Sequence, residues 1–278
     1  MYIPIKMAHN KHALLIGINY FGSNCELKGC HSDIEDVRVY LKSIGYLESN
    51  ITVLKDDKYD IDGLFPTRPT KQNILECMSD CVAKCKKGDT LYIHYSGHGS
   101  NRKDEGGDEK DGIDECICPV DCDTAGMIYD DELRALLVDN LKEGVTLRVV
   151  FDACHSGSAL DLPLRWDGDN NITSENDKVS KDKDVIFISG CKDPQYSADS
   201  SFNNHPNGAL TWAYLKALNS MKKSNSEPQK KGIQKVAIYT WKDLGDMIRL
   251  SLKKEGYDQI PQISMMTQQQ LKMKVDLL

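Results

Sequence analysis

The sequence predicts an α/β fold, a largely parallel β-sheet covered on both faces by helices. Three observations carry this. Apolar segments of strand length alternate with longer segments of helical periodicity along the chain. The strand segments are apolar almost throughout, as strands buried on both faces are. Start and stop signals bracket the helical segments.

In chain order, the spacing predicts strands over 13–18, 51–54, 90–95, 146–151, 185–189 and 262–265. Helices are predicted over 32–44, 71–85, 130–141, 208–222 and 241–255. Thr70 and Thr240 offer side-chain oxygens for N-caps, and Gly45, Gly88 and Gly256 stand where helices should stop. Helices between near-continuous apolar strands imply βαβ units with a parallel sheet. Two polar stretches, 167–184 and 222–235, break the pattern and are predicted as exposed, mobile loops. The first divides the chain into a larger part, about 1–166, and a smaller part, about 185–278.

Composition excludes several classes. With 278 residues, 40% hydrophobic and 28% charged, the chain matches an ordinary soluble globular protein. No apolar run approaches the roughly 20 residues that span a bilayer, and residues 1–12 lack the pattern of a secretory signal. A cytoplasmic protein without a membrane partner is expected. A net charge of -7 argues against nucleic acid, whose phosphates need a basic surface. Cys77, Cys81 and Cys85 recur at helical spacing beside Ile74, Met78 and Val82, which reads as core packing. Neither Cys25, Cys30 and His31 nor Cys116, Cys118 and Cys122 supplies two spaced CxxC pairs, so structural zinc is not expected. No GxGxxG or GxxxxGK[ST] loop follows a strand, which removes a nucleotide-binding reading.

Chemistry concentrates at two strand ends. His94-Tyr95-Ser96-Gly97-His98-Gly99 closes one apolar run, and Asp152-Ala153-Cys154-His155-Ser156-Gly157 closes another. In open α/β sheets ligands gather beyond the carboxyl ends of the strands, and right-handed crossovers set both ends at one edge. A thiol with pKa near 8.5 becomes a useful nucleophile when a histidine takes its proton. His94 alternates into the sheet and His155 adjoins the thiol in sequence, so His98 is the expected base and Cys154 the nucleophile. Gly97 and Gly99 allow a tight turn whose N–H groups can face an oxyanion.

Acids surround this edge. Asp152 stands two residues before Cys154, and Asp33 follows the loop after the first strand. Both can be surface or capping acids, or a pocket for an Arg or Lys side chain preceding a scissile bond. Nine carboxylates lie between Asp104 and Asp123 against Lys110 alone. Asp130 and Asp131 open a helix, where the dipole already favours acids. With Asp114 and Asp161 they also form a set of hard oxygen donors suited to calcium. No EF-hand pattern is present.

The two strand-end motifs, together with Leu27-Lys28-Gly29-Cys30, Asp114-Glu115-Cys116-Ile117-Cys118-Pro119, Ile188-Ser189-Gly190-Cys191 and Gly208-Ala209-Leu210-Thr211, resemble the metacaspases, within the caspase-like clan of cysteine peptidases. The resemblance runs from about Lys11 to Met265. It implies a caspase-like fold, with a mostly parallel sheet of six strands or slightly more. Five strands would be parallel, and the segment near Ile263 would form an antiparallel edge. It implies one peptidase domain of type I arrangement, with large and small parts joined by the 167–184 linker, acting as a monomer on protein or peptide substrates. His98 and Cys154 match the dyad, and the backbone N–H groups of Gly99 and Cys154 match the oxyanion donors. Asp33, Ser96 and Asp152 match a pocket for Arg or Lys. Asp114, Asp130, Asp131 and Asp161 match a calcium site whose occupation promotes activity, and Glu115 and Glu132 match nothing. Type I members often carry a Pro-rich or zinc-finger prodomain, and the residues ahead of Lys11 show neither.

Lys178, Lys181 and Lys183 make the linker a candidate for autocleavage, with 222–235 a second candidate. A catalytically silent scaffold of the same fold is the other reading; the intact His98, Cys154, Asp33 and Asp152 disfavour it.

Overall fold

Near-continuous apolar strands need cover on two sides, and the chain provides it. The computed structural model describes residues 9–59, 67–103, 112–154, 156–168, 172–190, 199–202, 205–226 and 237–278. Its strands are β1 (Lys11–Gly17), β2 (Ile51–Lys55), β3 (Thr90–Ser96), β4 (Gly99–Lys103), β5 (Ile113–Ile117), β6 (Ile128–Tyr129), β7 (Thr146–Asp152), β8 (Leu164–Trp166), β9 (Ile172–Ser174), β10 (Asp184–Ser189), β11 (Asp199–Phe202), β12 (His205–Gly208) and β13 (Gln262–Met265). The α-helices are α1 (Cys30–Ser43), α2 (Lys71–Lys84), α3 (Cys122–Ala125), α4 (Asp130–Arg134), α5 (Ala209–Ser226) and α6 (Trp241–Lys254).

The main sheet has eight strands in the order β2-β1-β3-β7-β10-β13-β8-β9. The first five are parallel, and β13 joins β10 antiparallel. Side chains alternate between its faces. Leu14 and Ile16, Ile93 and Tyr95, and Val149 and Phe151 pack toward α2 and the segment after α4. Ala13 and Leu15, Tyr92, Val150, Ile186 and Ile188 pack toward α1, α5 and α6. Cys81 and Cys85 lie in the first core with Ile74, Met78 and Val82, and Cys77 packs against it. Thr70 and Thr240 cap α2 and α6, accepting from the N–H groups of Asn73 and Asp243 at 3.2 Å each. No helix among the described residues is long and apolar enough to cross a membrane.

Three expectations need correction. The helix expected over 130–141 is α-helical only through Arg134 and continues as a π-helical turn, Ala135–Asp139; Leu133, Leu137, Val138 and Leu141 stay buried through the change. The segment near Ile263 is antiparallel but not an edge. β8 pairs with it and β9 pairs with β8, so two short strands extend the sheet. Trp166 supplies the reason: it is almost fully buried, with the Arg249 guanidinium 4.0 Å from its ring. The linker is therefore not wholly an exposed loop, since β9 and the buried Asn176 belong to it. Residues 169–171 and 227–236 lie outside the described residues.

One buried charge ties the small part to the sheet. Arg148 of β7, 2% exposed, donates to Asp184 at 3.0 Å and to Asp276 at 2.6 Å. Burial alone would raise the Asp184 carboxyl, but the Arg148 hydrogen bond and charge outweigh it and hold it below the ordinary range. A lowered native pKa contributes stability above the unfolded value near 3.9, and this is lost as pH falls through the native value. Arg148→Met should cost about 2–3 kcal/mol, less than a fully buried pair because both acids are about a third exposed. Urea melts should also show a flatter loss of stability below pH 4 in the variant; a parallel acid limb would refute this role for Arg148.

Candidate functional site

The parallel pair β3–β7 is in register with Ser96 opposite Asp152. His98 and Cys154 each follow two residues later, so they leave neighbouring strands about 4.8 Å apart. The backbones then approach closely. A Cβ on Gly99 would lie 2.0 Å from the Cys154 carbonyl oxygen, so only glycine fits there.

His98 is held on all sides. Its N–H donates to the Tyr20 hydroxyl at 2.9 Å, and its carbonyl accepts from the Tyr95 hydroxyl at 2.6 Å and the Cys118 N–H at 3.1 Å. Burial raises both tyrosines well above their ordinary value, so they remain protonated donors. The imidazole lies 4.7 Å from the Tyr20 ring, and Nε2 sits 2.7 Å from the Cys25 carbonyl oxygen. A carbonyl only accepts, so in the neutral ring the proton resides on Nε2. Nδ1 is left with the lone pair that a base needs. His94, the sequence competitor, is fully buried, its pKa pushed down to about 3 by burial. His155 lies outside the described residues.

Asp33, Ser96 and Asp152 come together at the same edge. Asp33 is a fully buried side chain in the first turn of α1, which rules out a surface or capping role. It accepts from Ser96 Oγ at 2.5 Å, the Gly208 N–H at 2.9 Å and Asn207 Nδ2 at 3.2 Å. Asp152 accepts from the N–H and hydroxyl of Thr211, both at 2.8 Å. The two carboxylates converge on Gly208, where a Cβ would lie 2.2 Å from Asp152 and 2.9 Å from Asp33. Burial first, and the Asp152 charge second, push Asp33 well above the usual carboxylate range. A buried acid raised by burial and by the charge of a second buried acid beside it forms a site that gains by receiving a cation. Asn207, Gly208 and Thr211 complete it; the sequence flagged the Gly208–Thr211 run without showing what it faces.

A second acidic cluster lies behind the nucleophile loop. Asp130 accepts from the N–H groups of Glu115 at 2.6 Å and Asp131 at 2.9 Å. Burial first, then the charge of Asp161, with a smaller contribution from Asp114, pushes Asp130 up to about 7. Asp114 pairs with Arg102 at 2.8 Å, and Asp131 is exposed. Among the described residues, no group of three or more His, Cys, Asp or Glu side chains is gathered closely enough to hold a metal in common. His31 pairs with Asp56 at 2.7 Å. The acids over 104–111 lie outside the described residues.

Glu115, which matched nothing in the sequence reading, joins this cluster to the nucleophile loop. It is fully buried, and its carboxylate accepts from Ser158 Oγ at 2.6 Å. Ser158 in turn accepts the Asp161 N–H through its carbonyl. Alternation along β5 was the available signal, since it sets Glu115 with the core residue Ile117 and Asp114 with Cys116.

The three linker lysines differ. The Lys183 ammonium donates to the carbonyls of Asp139 and Leu141, at 2.9 and 2.6 Å. The Lys178 carbonyl accepts from Arg134 at 3.2 Å. Lys181 is exposed.

Residues 11–163 match the family model described as metacaspase, peptidase C14 domain. Metacaspase-1 of Meyerozyma guilliermondii is 35% identical, covering 91% of this chain and 69% of its own length. Metacaspase-1 of Mycosarcoma maydis is 37% identical over 77% of this chain and 63% of its own. The chain thus spans about two thirds of these relatives. Among solved structures, a Geobacter sulfurreducens protein is similar with TM-score 0.62 and 23% identity, covering 95% of this chain and 97% of that one. Caspase-1 of Spodoptera frugiperda gives 0.56 and 12%, covering 93% and 87%. At these identities the likeness is one of fold, and the fold is caspase-like.

If His98 takes the thiol proton, Cys154 should alkylate with iodoacetamide at pH 6.5 about tenfold or more faster than in His98→Ala. Peptide mass spectrometry reads the rate at Cys154 alone, and equal rates would remove His98 as its base.

Proposed function

The chain belongs to the metacaspase family of peptidases, and from that premise we propose that it is a calcium-activated cysteine endopeptidase cleaving after Arg or Lys. The observation that carries the specificity is the buried pair Asp33 and Asp152, converging on Gly208 at the edge where His98 and Cys154 leave the sheet. A guanidinium or ammonium entering there relieves the repulsion between the acids and meets carboxylates already oriented by Ser96, Asn207 and Thr211. An aspartate side chain would add a third negative charge.

The Cys154 thiol gives its proton to His98 Nδ1, and the thiolate sulfur attacks the carbonyl carbon of the basic residue. The oxyanion accepts from the N–H groups of Gly99 and Cys154. Collapse breaks the C–N bond, and the amine leaves with the proton from His98. Water, deprotonated by the same nitrogen, then cleaves the thioester and releases the new carboxyl terminus.

Asp114, Asp130, Asp131 and Asp161 would hold calcium. Their donors are hard carboxylate oxygens; among the described residues no three such side chains stand close enough to hold a metal in common, so calcium would have to draw their segments together. A bound cation would supply charge neutralisation there. The chain's own residues pass the effect on, because Glu115 bonds both to Asp130 and to Ser158 in the nucleophile loop. The same reading has the enzyme act as a cytoplasmic monomer on protein substrates, with neither nucleic acid nor membrane as partner.

Fluorogenic peptides ending in Arg or Lys should be cleaved at least 100-fold faster than Asp peptides, and only with calcium present. Asp33→Asn should lower kcat/KM for Arg peptides about 100-fold or more. Cleavage after Asp, or indifference to chelator, would sink the corresponding half of the reading. Calcium-treated protein should also cut itself, first after the exposed Lys181 and later at the engaged Lys178 and Lys183, whereas Cys154→Ala stays whole. First cutting at Lys183 would contradict that order.

A further inference from the structure

A buried carboxylate outside both acidic clusters grips the loop that holds the base. Asp56 stands one residue beyond β2 and is only 5% exposed. It accepts from the N–H groups on either side of Tyr20, those of Asn19 at 2.8 Å and Phe21 at 3.3 Å. Tyr20 between them has φ of 54°, a left-handed conformation that a bulky side chain rarely adopts. Backbone turned this way aims neighbouring N–H groups to one side, where they hold an anion. The third donor comes from the first turn of α1: His31 Nε2 lies 2.7 Å from the same carboxylate, which only accepts. Burial alone would raise the Asp56 carboxyl, but the His31 bond and the Asn19 N–H outweigh it and hold it below the ordinary range.

Asn19 passes this grip along the loop between β1 and α1. Its carbonyl accepts from the Leu27 N–H at 2.8 Å, and its side-chain oxygen accepts from the Cys30 N–H at 3.1 Å. Leu27 therefore closes the loop two residues after Cys25, whose carbonyl meets His98 Nε2. Cys25 itself is exposed, and its N–H reaches Ser23 Oγ within the same loop, so its carbonyl is placed by the loop's ends. The loop also supplies the Tyr20 hydroxyl that accepts the His98 N–H, and the Tyr20 ring beside the imidazole. Both of its contacts with His98 thus lie between the points that Asn19 and Leu27 fix.

We propose that Asp56 is a positioning residue for the base: acting through Asn19, it holds the loop that keeps the proton on His98 Nε2 and leaves Nδ1 free for the Cys154 thiol. This rests on the reading of His98 as that base. With the carboxylate in place, the Cys25 carbonyl fixes the tautomer before substrate arrives and stabilises the imidazolium once Nδ1 takes the proton. Without it, three donors lose their common acceptor and Tyr20 relaxes from its left-handed turn. The imidazole is then free to rotate or to carry its proton on Nδ1, where it cannot accept from the thiol.

The test is alkylation of Cys154 by iodoacetamide at pH 6.5, read by peptide mass spectrometry. Iodoacetamide is uncharged, so its rate does not depend on the Asp33–Asp152 pocket. Asp56→Asn keeps the size of the side chain but turns one acceptor into a donor facing these N–H groups. It should react about tenfold or more slower than the parent, as small misplacements of reacting groups do. Nitrogen NMR of labelled histidine supplies a second reading. In Cys154→Ala protein the neutral His98 ring should carry its proton on Nε2, and adding Asp56→Asn should populate the Nδ1–H form. Thermal melts confirm folding, and Asp57→Asn, at the exposed neighbour, should change neither reading. Asn19→Ala, which removes the acceptor of the Cys30 N–H, is the second variant should Asp56→Asn fail to fold, and it should slow alkylation likewise. If His98→Ala slows alkylation but the folded variant matches the parent in rate or in tautomer, the inference alone falls. If His98→Ala reacts as fast as the parent, the base assignment falls and the inference with it.

Discussion

The in-register parallel pairing of β3 with β7 is the constraint on which the rest depends. With Ser96 opposite Asp152, His98 and Cys154 leave the sheet at one level and one edge. A slip of one residue would turn every side chain of one strand to the other face, burying His98's neighbours wrongly and separating base from nucleophile. The slip is prevented by the core itself. Ile93, Tyr95, Val149 and Phe151 pack on one face and Tyr92 and Val150 on the other, so a slip would exchange side chains of different size and shape between two close-packed cores.

Electrostatics adds a second layer. The fold holds two sets of carboxylates near the dyad, and in each a buried acid is pushed upward by burial and by a neighbouring acid. Under the proposed function each set receives a cation, a substrate side chain at one and calcium at the other. They differ in their supports. Asp33 and Asp152 are oriented by neutral donors from Ser96, Asn207 and Thr211 at the sheet edge. Asp130 and Asp161 are oriented by backbone N–H groups and a buried arginine, in contact with the loop that carries the thiol.

Much of this was legible in the sequence. The six principal strands fall within about two residues of their expected ends, because two-sided burial leaves a continuous apolar signature. β8 and β9 were not legible: each has three residues, too few for Leu164, Trp166 and Ile172 to mark a strand, and the place of β8 in the sheet is decided by β13, far along the chain. The π-helical turn after Arg134 is invisible for a related reason, since 3.6-residue periodicity over so short a segment does not exclude one wider turn. Glu115 looked like one acid among nine and proved to be the only one of them to bridge to Ser158 among the described residues.

The sequence by itself determined the chemistry: a thiol and an imidazole beyond two buried strands, with acids of sufficient number and spacing to surround them. Residue types and their periodicity are local, and those features are local too. The tertiary structure alone decided which nitrogen of His98 holds the proton, because that depends on the Cys25 carbonyl 73 positions away. It alone turned Asp33 from a surface acid into half of a buried pair, through Gly208 from a strand 175 positions away. Protonation states and charge pairing depend on what crowds a group in space, and distances in space between distant segments exist only once the sheet has formed.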